Sequence, residues 1–505
     1  MTPFIAELER DRDRVVLHDR RGGLTAGQAL DTIRRLARAL AGLGHGPGRI
    51  AALIGSMTSR LHLLAHAVEL TGGGQVEIPD TLPFADQAGL IAECGACLAI
   101  ADPGGVRRTR LPDLAALPGV RLLTLGPGPG TDLLGTAAAL SAAPFPPRAR
   151  PGDPNRITLT GGTTGRAKPV LRRFRAGPPR TAPGVRELLA GGAPPRLLKT
   201  GRLTGLGRAL GDAAVAAGGR LITLPGFDPP EVAAVLAEQK ATHLVLSPYE
   251  LRLLLDHLDG SAARRFPHLR SVLSATAATS PALLSRAVDR FGPIVRAGYG
   301  QTEAGSVARL EPEDYADGSF EVRRSAGRPL PGVRVEVRDP RGRPREPGER
   351  GEIWVHSPRL TTEYWRRPEA TAHALRDGWL RTGDVGFLDA DGLLTLLGRA
   401  SDAMEIAGEV VFAAEVDSWL QEHPAVLESA TFDVPDSTGG ATLHTAVVTA
   451  PGAAAEAGAP ELRAWLSRRL DPRRVPSSVL FVPHIPLTYA NEPCRDTLRK
   501  WHAAG

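Results

Sequence analysis

The chain has 505 residues, 42% apolar and 23% charged, the ordinary composition of a soluble globular protein of two to four domains. Its three cysteines are too few for a disulfide framework. The formal net charge of +6 comes from scattered arginines, which help attract an anionic substrate or nucleotide but are too diffuse to argue for nucleic-acid binding.

The opening stretch, "MTPFIAELERDRDRVV", is charged and lacks an apolar signal core, and no later run is long enough to span a bilayer. A protein of a reducing cytoplasm, without membrane insertion, is expected. "TAGQALDTIRRLARALAGLG" has helical apolar spacing. "RIAALIGSM" reads as a buried strand, and "RLHLLAHAVELTGGG" as a helix closing on glycines. "ACLAIAD" and "VRLLTL" are strand-like, and Cys94 and Cys97 read as buried thiols rather than a metal or redox pair. Proline-rich "AAPFPPRARPGDP" is a connector, followed by a strand, "RITL". Further on, "EVAAVLAEQKA" and "THLVLSP" repeat helix then strand. The alternation predicts an α/β architecture with largely parallel sheets. From about Gly327 the pattern changes to short strands, "VRVEVRD", "GEIWVHS" and "LLTLLGR", as in a small β subdomain. After Arg399 comes a last α+β unit with "AAEVDSWLQEH" as helix, "HTAVVTA" as strand and "ELRAWLSRRL" as helix.

Three stretches carry chemistry. "LTGGTTGRAKPV" (Leu159 to Val170) holds Gly161, Gly162 and Gly165, which let the backbone approach a ligand closely. Successive N–H groups in such a turn form an anion-binding concavity. Thr160, Thr163 and Thr164 add hydroxyls, and Lys168 adds a movable charge. Phosphate binding is the expectation, against the alternative of a polar hairpin turn. "GYGQTEAG" (Gly298 to Gly305) follows a strand-like run. Tyr299 offers a face to a flat base, Gly300 a close approach, Thr302 a hydroxyl and Glu303 an oxygen ligand for Mg²⁺. In "GWLRTGDVGFLDADGLLTLLGRASD", Asp384 suits a pair of ribose hydroxyls and Arg399 suits sugar and phosphate oxygens. "DADG" reads as a hairpin turn.

In this order and spacing the three stretches resemble the adenylate-forming superfamily of acyl-CoA synthetases, aryl acid ligases, amide-bond synthetases and peptide-synthetase adenylation domains. The likeness extends over most of the chain, through "PGERGEIWVHSPRLTTEYW" and "GEVVFAAEVDSWLQEHPAV". It implies a large N-terminal domain, residues 1–399, of two parallel-type sheets with helices plus a small β subdomain. A hinge at Ser401 and a mobile C-terminal domain, residues 400–505, complete the fold. It implies ATP and Mg²⁺, with Thr160 to Lys168 as the phosphate loop and Tyr299 near adenine. Thr302 contacts the α-phosphate, Glu303 binds the metal, Asp384 holds the ribose, and Arg399 lies beside it. Thr163, Lys168, Thr302 and Glu303 are the expected catalytic set.

The departures are specific. Ala167 precedes Lys168 and Pro169 follows it. After Asn491 the chain reads Glu492 and Pro493, where relatives end an Asn-Gly-Lys segment, so their lysine is missing; Lys500 falls in a following helix. The hinge has Ser401 for Asp or Lys, and Glu405 for a lysine, with Gly408 retained. The acid-pocket region offers Lys199, Arg202, Thr204 and Gly205, with the charges alternatively solvated on a loop, and a second wall with Ser274, Thr276 and Gly298. The resemblance implies activation of a carboxylic acid as acyl-AMP and transfer to CoA or an amine. Two alternatives are adenylation of nitrite for diazotisation of an aryl amine, and a nucleotide-binding homologue that has lost catalysis.

Overall fold

The computed structural model describes residues 3–106, 111–160, 167–176, 184–201, 205–259, 266–316, 318–436, 439–450, 458–487 and 493–503. Two large sheets dominate them. In the first the strand order is Glu363–Tyr364, Pro169–Arg173, Pro154–Leu159, Gly74–Ile78, Ile50–Ile54, Leu98–Ala101, Arg121–Thr124, Thr131–Asp132. It is parallel from Pro154–Leu159 onward, and the first two pairings are antiparallel. All five residues of Ile50–Ile54 are buried, because helices cover both faces of the sheet. That is why "RIAALI" reads as an unbroken apolar run.

The second sheet runs Arg328–Pro329, Gly305–Leu310, Val295–Gln301, Ser271–Ser274, His243–Leu246, Arg196–Thr200, Arg220–Leu224, Val15–Asp19, Gly22–Thr25. Its central strands are parallel. Helices Ala26–Gly42, Ser59–Leu70 and Gly205–Ala216 supply much of the core between the two sheets. Helix Ala26–Gly42 starts at a reciprocal cap: the Gln28 N–H donates to the Thr25 hydroxyl, and the Thr25 N–H to the Gln28 side chain.

The third sheet is antiparallel, joining Arg334–Arg338, Gly351–His356, Trp379–Leu388, Leu375–Arg376 and Leu394–Arg399. The Asp389–Gly392 turn links the two long strands, as "DADG" predicts. The strand ends at Arg399, and a 3₁₀ turn, Ala400–Asp402, leads into the hairpin Met404–Ile406 and Glu409–Val411. The C-terminal unit then packs helices Ala413–Leu420, Ala459–Ser467 and Arg495–Ala503 with the sheet of Val426–Pro435, Ala441–Thr449 and Ser478–Phe481. It meets the rest of the chain through a Phe320–Trp419 ring stack at 3.9 Å and the Arg350–Glu415 ion pair at 2.7 Å. Cys94 is buried and Cys97 half-buried, both unoxidised, and burial pushes the Cys94 thiol up to about 12. No described helix is long and apolar enough to cross a membrane.

Candidate active site

Strand register brings the three chemical stretches to one place. Pro154–Leu159 and Pro169–Arg173 pair antiparallel as the stem of the glycine loop. Thr160 and Lys168 close it: the Thr160 N–H donates to the Lys168 carbonyl at 3.0 Å, and the Lys168 N–H to the Thr160 hydroxyl at 2.9 Å. Gly161, Gly162, Thr163, Thr164 and Gly165 lie outside the described residues, as do Arg202, Thr204 and the segment 488–492 with Asn491 and Glu492.

The strand leaving the loop pairs on its far side with Glu363–Tyr364, placing Tyr364 opposite Val170. Lys168 Nζ sits 5.3 Å from the centre of the Tyr364 ring. The Tyr364 hydroxyl donates to Glu303 Oε1 at 2.7 Å. Burial and then the Glu303 charge raise the Tyr364 phenol far above its usual range, so it stays a donor. Glu303 is itself 8% exposed, and its carbonyl accepts from the Thr361 N–H at 2.7 Å.

"GYGQTEAG" forms the end of a hairpin, Val295–Gln301 against Gly305–Leu310, with a bulge between Tyr299 and Gly300. Thr302 Oγ1 reaches the Leu159 carbonyl at 3.4 Å, tying this hairpin to the strand entering the glycine loop. Gly300 allows the hairpin to close: a Cβ there would fall 2.5 Å from the Gly305 oxygen and 3.0 Å from Ser306 Cα. Gly300→Ala is therefore expected to spread the hairpin at a cost of about 1–3 kcal/mol. ATP titration of the variant should show weakened binding with secondary structure kept; unchanged affinity would contradict the role given to this hairpin.

Asp384 and Arg399 are direct cross-strand partners in the third sheet, and their side chains pair at 3.0 Å. The Tyr299 hydroxyl and Gln301 Nε2 each donate to Asp384 Oδ2 at 2.6 Å. Asp384 thus links the hairpin to the third sheet. Burial raises its carboxyl above the usual range against the pull of Arg399, Tyr299 and Gln301. The Tyr299 phenol is raised well above its usual value by burial and by the Asp384 charge.

One cavity of about 1350 Å³ is lined by Thr160, Lys168, Tyr299, Gly300, Thr302, Glu303 and Arg399. Ser401 and Leu487 also reach it from the C-terminal side. Lys199, Gly205, Thr276 and Gly298 line a further part of it, beside Leu206, Leu210, Leu273 and Ala275. Two sequence readings need correction. Lys199 is not solvated on a loop: it sits in strand Arg196–Thr200, 8% exposed, with its ammonium donating to the Thr200 carbonyl. Ser274 does not line the cavity: its side chain is buried and hydrogen-bonded to Thr279 at 2.8 Å, because it ends a strand covered on both faces. Thr276, by contrast, faces the cavity with φ +80°, a costly conformation for a β-branched residue.

Sequence reading missed Tyr364, Gln301 and three arginines in the cavity wall, Arg156, Arg172 and Arg359. Gln301 and Tyr364 stood inside quoted stretches. Arg156, in the quoted "RITL", and Arg172 had a weaker signal, each four residues from a loop-closing residue, Thr160 or Lys168.

The AMP-binding enzyme family matches residues 4–177 and 211–365, and the AMP-binding enzyme C-terminal domain matches residues 415–491. A medium/long-chain fatty acid–CoA ligase of Mycobacterium tuberculosis is 33% identical, over 99% of this chain and 90% of that protein. A fatty acid–[acyl-carrier-protein] ligase of Streptomyces coeruleorubidus is 27% identical, over 99% and 95%. Among solved structures, the amide bond synthetase McbA from Marinactinospora thermotolerans superposes with a TM-score of 0.87 at 33% identity, covering 99% of each chain.

Proposed function

Because the chain belongs to the AMP-binding enzyme family, whose members here are AMP-forming ligases, we propose that it activates an organic acid with an apolar body as acyl-AMP and passes the acyl group to an amine or to CoA. The observation that carries this reading is the shared cavity. Thr160 and Lys168, Thr302 and Glu303, and Tyr299 and Arg399 line it, the last two joined through Asp384.

Thr160 and Lys168, which close the glycine loop, take the outer phosphates, and Lys168 offsets the charge of departing pyrophosphate. Tyr299 lies against the base. Asp384 and Arg399 hold the ribose, with Asp384 exchanging a protein donor for sugar hydroxyls. Glu303 is the group that fits Mg²⁺: a buried hard oxygen ligand steadied by Tyr364 on one oxygen. A metal held there supplies charge neutralisation between phosphate oxygens. The acid carboxylate attacks the α-phosphorus, the bond to pyrophosphate breaks, and an acyl-phosphate anhydride forms. In the second half-reaction the acceptor attacks the acyl carbon, AMP leaves, and the acceptor loses its proton. Positioning and charge neutralisation carry most of the rate.

The wall of Leu206, Leu210, Leu273 and Ala275 suits the apolar body of the acid. At the hinge, Ser401 stands where the family resemblance implies Asp or Lys and Glu405 where it implies a lysine; this departure favours an amine acceptor, as does the overall likeness to an amide bond synthetase.

Pyrophosphate exchange into ATP, screened over aliphatic and aryl acids with hydroxylamine trapping, tests the first half-reaction. Exchange and a trapped hydroxamate are expected with at least one acid, and product analysis with CoA and with amines then assigns the acceptor. AMP release that needs nitrite and an aryl amine, with no acid trapped, would replace this reading by diazotisation. Tight ATP binding without turnover would replace it by a degenerate homologue.

A further inference from the structure

We propose that Arg156, Arg172 and Arg359 form a subsite for a carboxylate carried by a reactant other than the nucleotide. The proposal rests on the adenylation reading for the name of that reactant, and its binding test is independent of turnover. Arg156 and Arg172 are Cα partners on the two antiparallel strands of the loop stem. Like charges directly opposite on one face of a sheet repel and destabilise it. Arg359 stands beside them, and its carbonyl accepts a hydrogen bond from Arg172. The other Arg172 contact is the Thr302 carbonyl at 2.8 Å. Carbonyl oxygens satisfy the N–H groups but leave the charges uncancelled.

Counter-charge is short. Arg156 has Glu77 at 3.9 Å, and Glu77 is shared with Arg208 at the same distance. Among the described residues neither Arg172 nor Arg359 has a carboxylate at ion-pair distance. Burial, then Arg156, Arg359 and Arg175, bring the Arg172 guanidinium down to about 9 against the pull of Glu303; burial, then Arg156 and Arg175, bring Arg359 to about 10. An anion between them would relieve that strain.

Two further observations place the anion in the cavity. Arg156 Nε and Thr158 Oγ1 are buried without a hydrogen-bond partner, and as residues i and i+2 of a strand they face the same side. The twelve-residue helix Gly205–Ala216 begins at this point: a Cβ on Gly205 would lie 3.9 Å from Arg156 Nη2. The positive end of that helix adds to the field of the arginines. All of these residues line the one cavity. The outer nucleotide phosphates, held at the loop, are not the occupant: the backbones of Arg156 and Arg172 lie about 13 Å from Thr160 and Lys168 along the stem, and Arg172 reaches instead to the Thr302 carbonyl, beside the reacting end of the nucleotide.

The experiment is a thermal-shift titration of the full-length protein, with saturating AMP to fill the nucleotide site. Succinate and acetate are the probes, and uncharged succinamide at matched ionic strength is the control. The midpoint should rise with the carboxylates and not with succinamide. R156Q and R359Q should each weaken that response by about tenfold or more, R359K by less, with the AMP shift retained in all three. Both glutamine variants relieve repulsion and are expected to fold. A response to acetate as well as succinate assigns the subsite to the reacting carboxylate, and a response to succinate alone assigns it to a second anionic group. Absence of a carboxylate response in the wild-type protein, or an equal response in R156Q and R359Q, overturns the proposal. Loss of the AMP shift in the wild-type protein would instead count against the nucleotide reading.

Discussion

Glu303→Gln should lower ATP–pyrophosphate exchange by about 10²–10³-fold, the loss typical of one charge-stabilising group, with the cavity intact. Gln has the volume of Glu and keeps an oxygen that can accept from the Tyr364 hydroxyl, so the 2.7 Å contact survives. The loop leading into Glu363–Tyr364 also holds the residue by its backbone, through the Thr361 N–H. What is removed is one negative charge at a buried position, and that charge is what a hard divalent cation selects. The Mg²⁺ concentration for half-maximal rate should therefore rise together with the fall in rate. Tyr364→Phe provides the contrast. It leaves the carboxylate and frees one of its oxygens, so only its orientation loosens, and a loss of about tenfold is expected. A Glu303→Gln enzyme with the parent Mg²⁺ dependence would remove this residue from the metal role. A Tyr364→Phe loss as deep as that of Glu303→Gln would make the phenol, rather than the carboxylate, the critical group.

The parts of this site that could be read in the sequence are those where the chemistry is dense in a short stretch. "LTGGTTGRAKPV" and "GYGQTEAG" put glycine, hydroxyl and charge within a few residues, and a loop of that kind serves ligands more readily than packing. Asp384 and Arg399 were readable as separate candidates, but their direct pairing comes from antiparallel register in the third sheet. Register is also what hid Tyr364 and the arginines. Glu363–Tyr364 joins the stem of a loop roughly 190 residues earlier in the chain, and no local pattern announces that pairing. Arg156 stood in a stretch read as a strand and Arg172 was not singled out, and only the register of the stem places them opposite each other. Lys199 carried two readings, a pocket residue or a charge solvated on a loop, because it precedes a glycine-rich stretch; it completes a buried parallel strand and lines the cavity. The strands of the two large sheets were readable because burial on both faces turns them into continuous apolar runs.

Arg208→Met should destabilise the protein by about 3–5 kcal/mol, the cost of leaving a buried carboxylate without its partner. Arg208 is 2% exposed, on helix Gly205–Ala216 between the two large sheets. Its guanidinium pairs with Glu69 at 2.7 Å and lies 3.9 Å from Glu77. Glu69 belongs to helix Ser59–Leu70, so the pair joins two core helices. Beside it, His62 and His66 both contact Asp212 Oδ1, at 3.1 and 3.0 Å, and His66 stacks on Phe4 at 4.3 Å. Burial would raise the Glu69 carboxyl, but Arg208 and His66 overcome it and hold it at about 2. A carboxylate depressed in the folded state contributes stability above its unfolded value, near 4.5, and that contribution is lost as pH falls towards 2. His66 acts in the opposite sense: its pKa is raised in the folded protein, against burial, by Asp212 and Glu69, so its contribution is present below 6.5 and lost as pH rises through the folded value. With Arg208 gone, burial acts on Glu69 with less opposition, and its pKa should climb. The stability gap between parent and Arg208→Met should therefore narrow as pH falls from about 5 towards 2, because the parent loses its Glu69 contribution over that range and the variant has none to lose. Adding Glu69→Gln removes the stranded charge and should recover much of the loss, a coupling that the double-mutant cycle measures directly. A stability gap that stays constant between about pH 5 and pH 2, or strictly additive losses in the cycle, would show that the two helices are joined by packing alone.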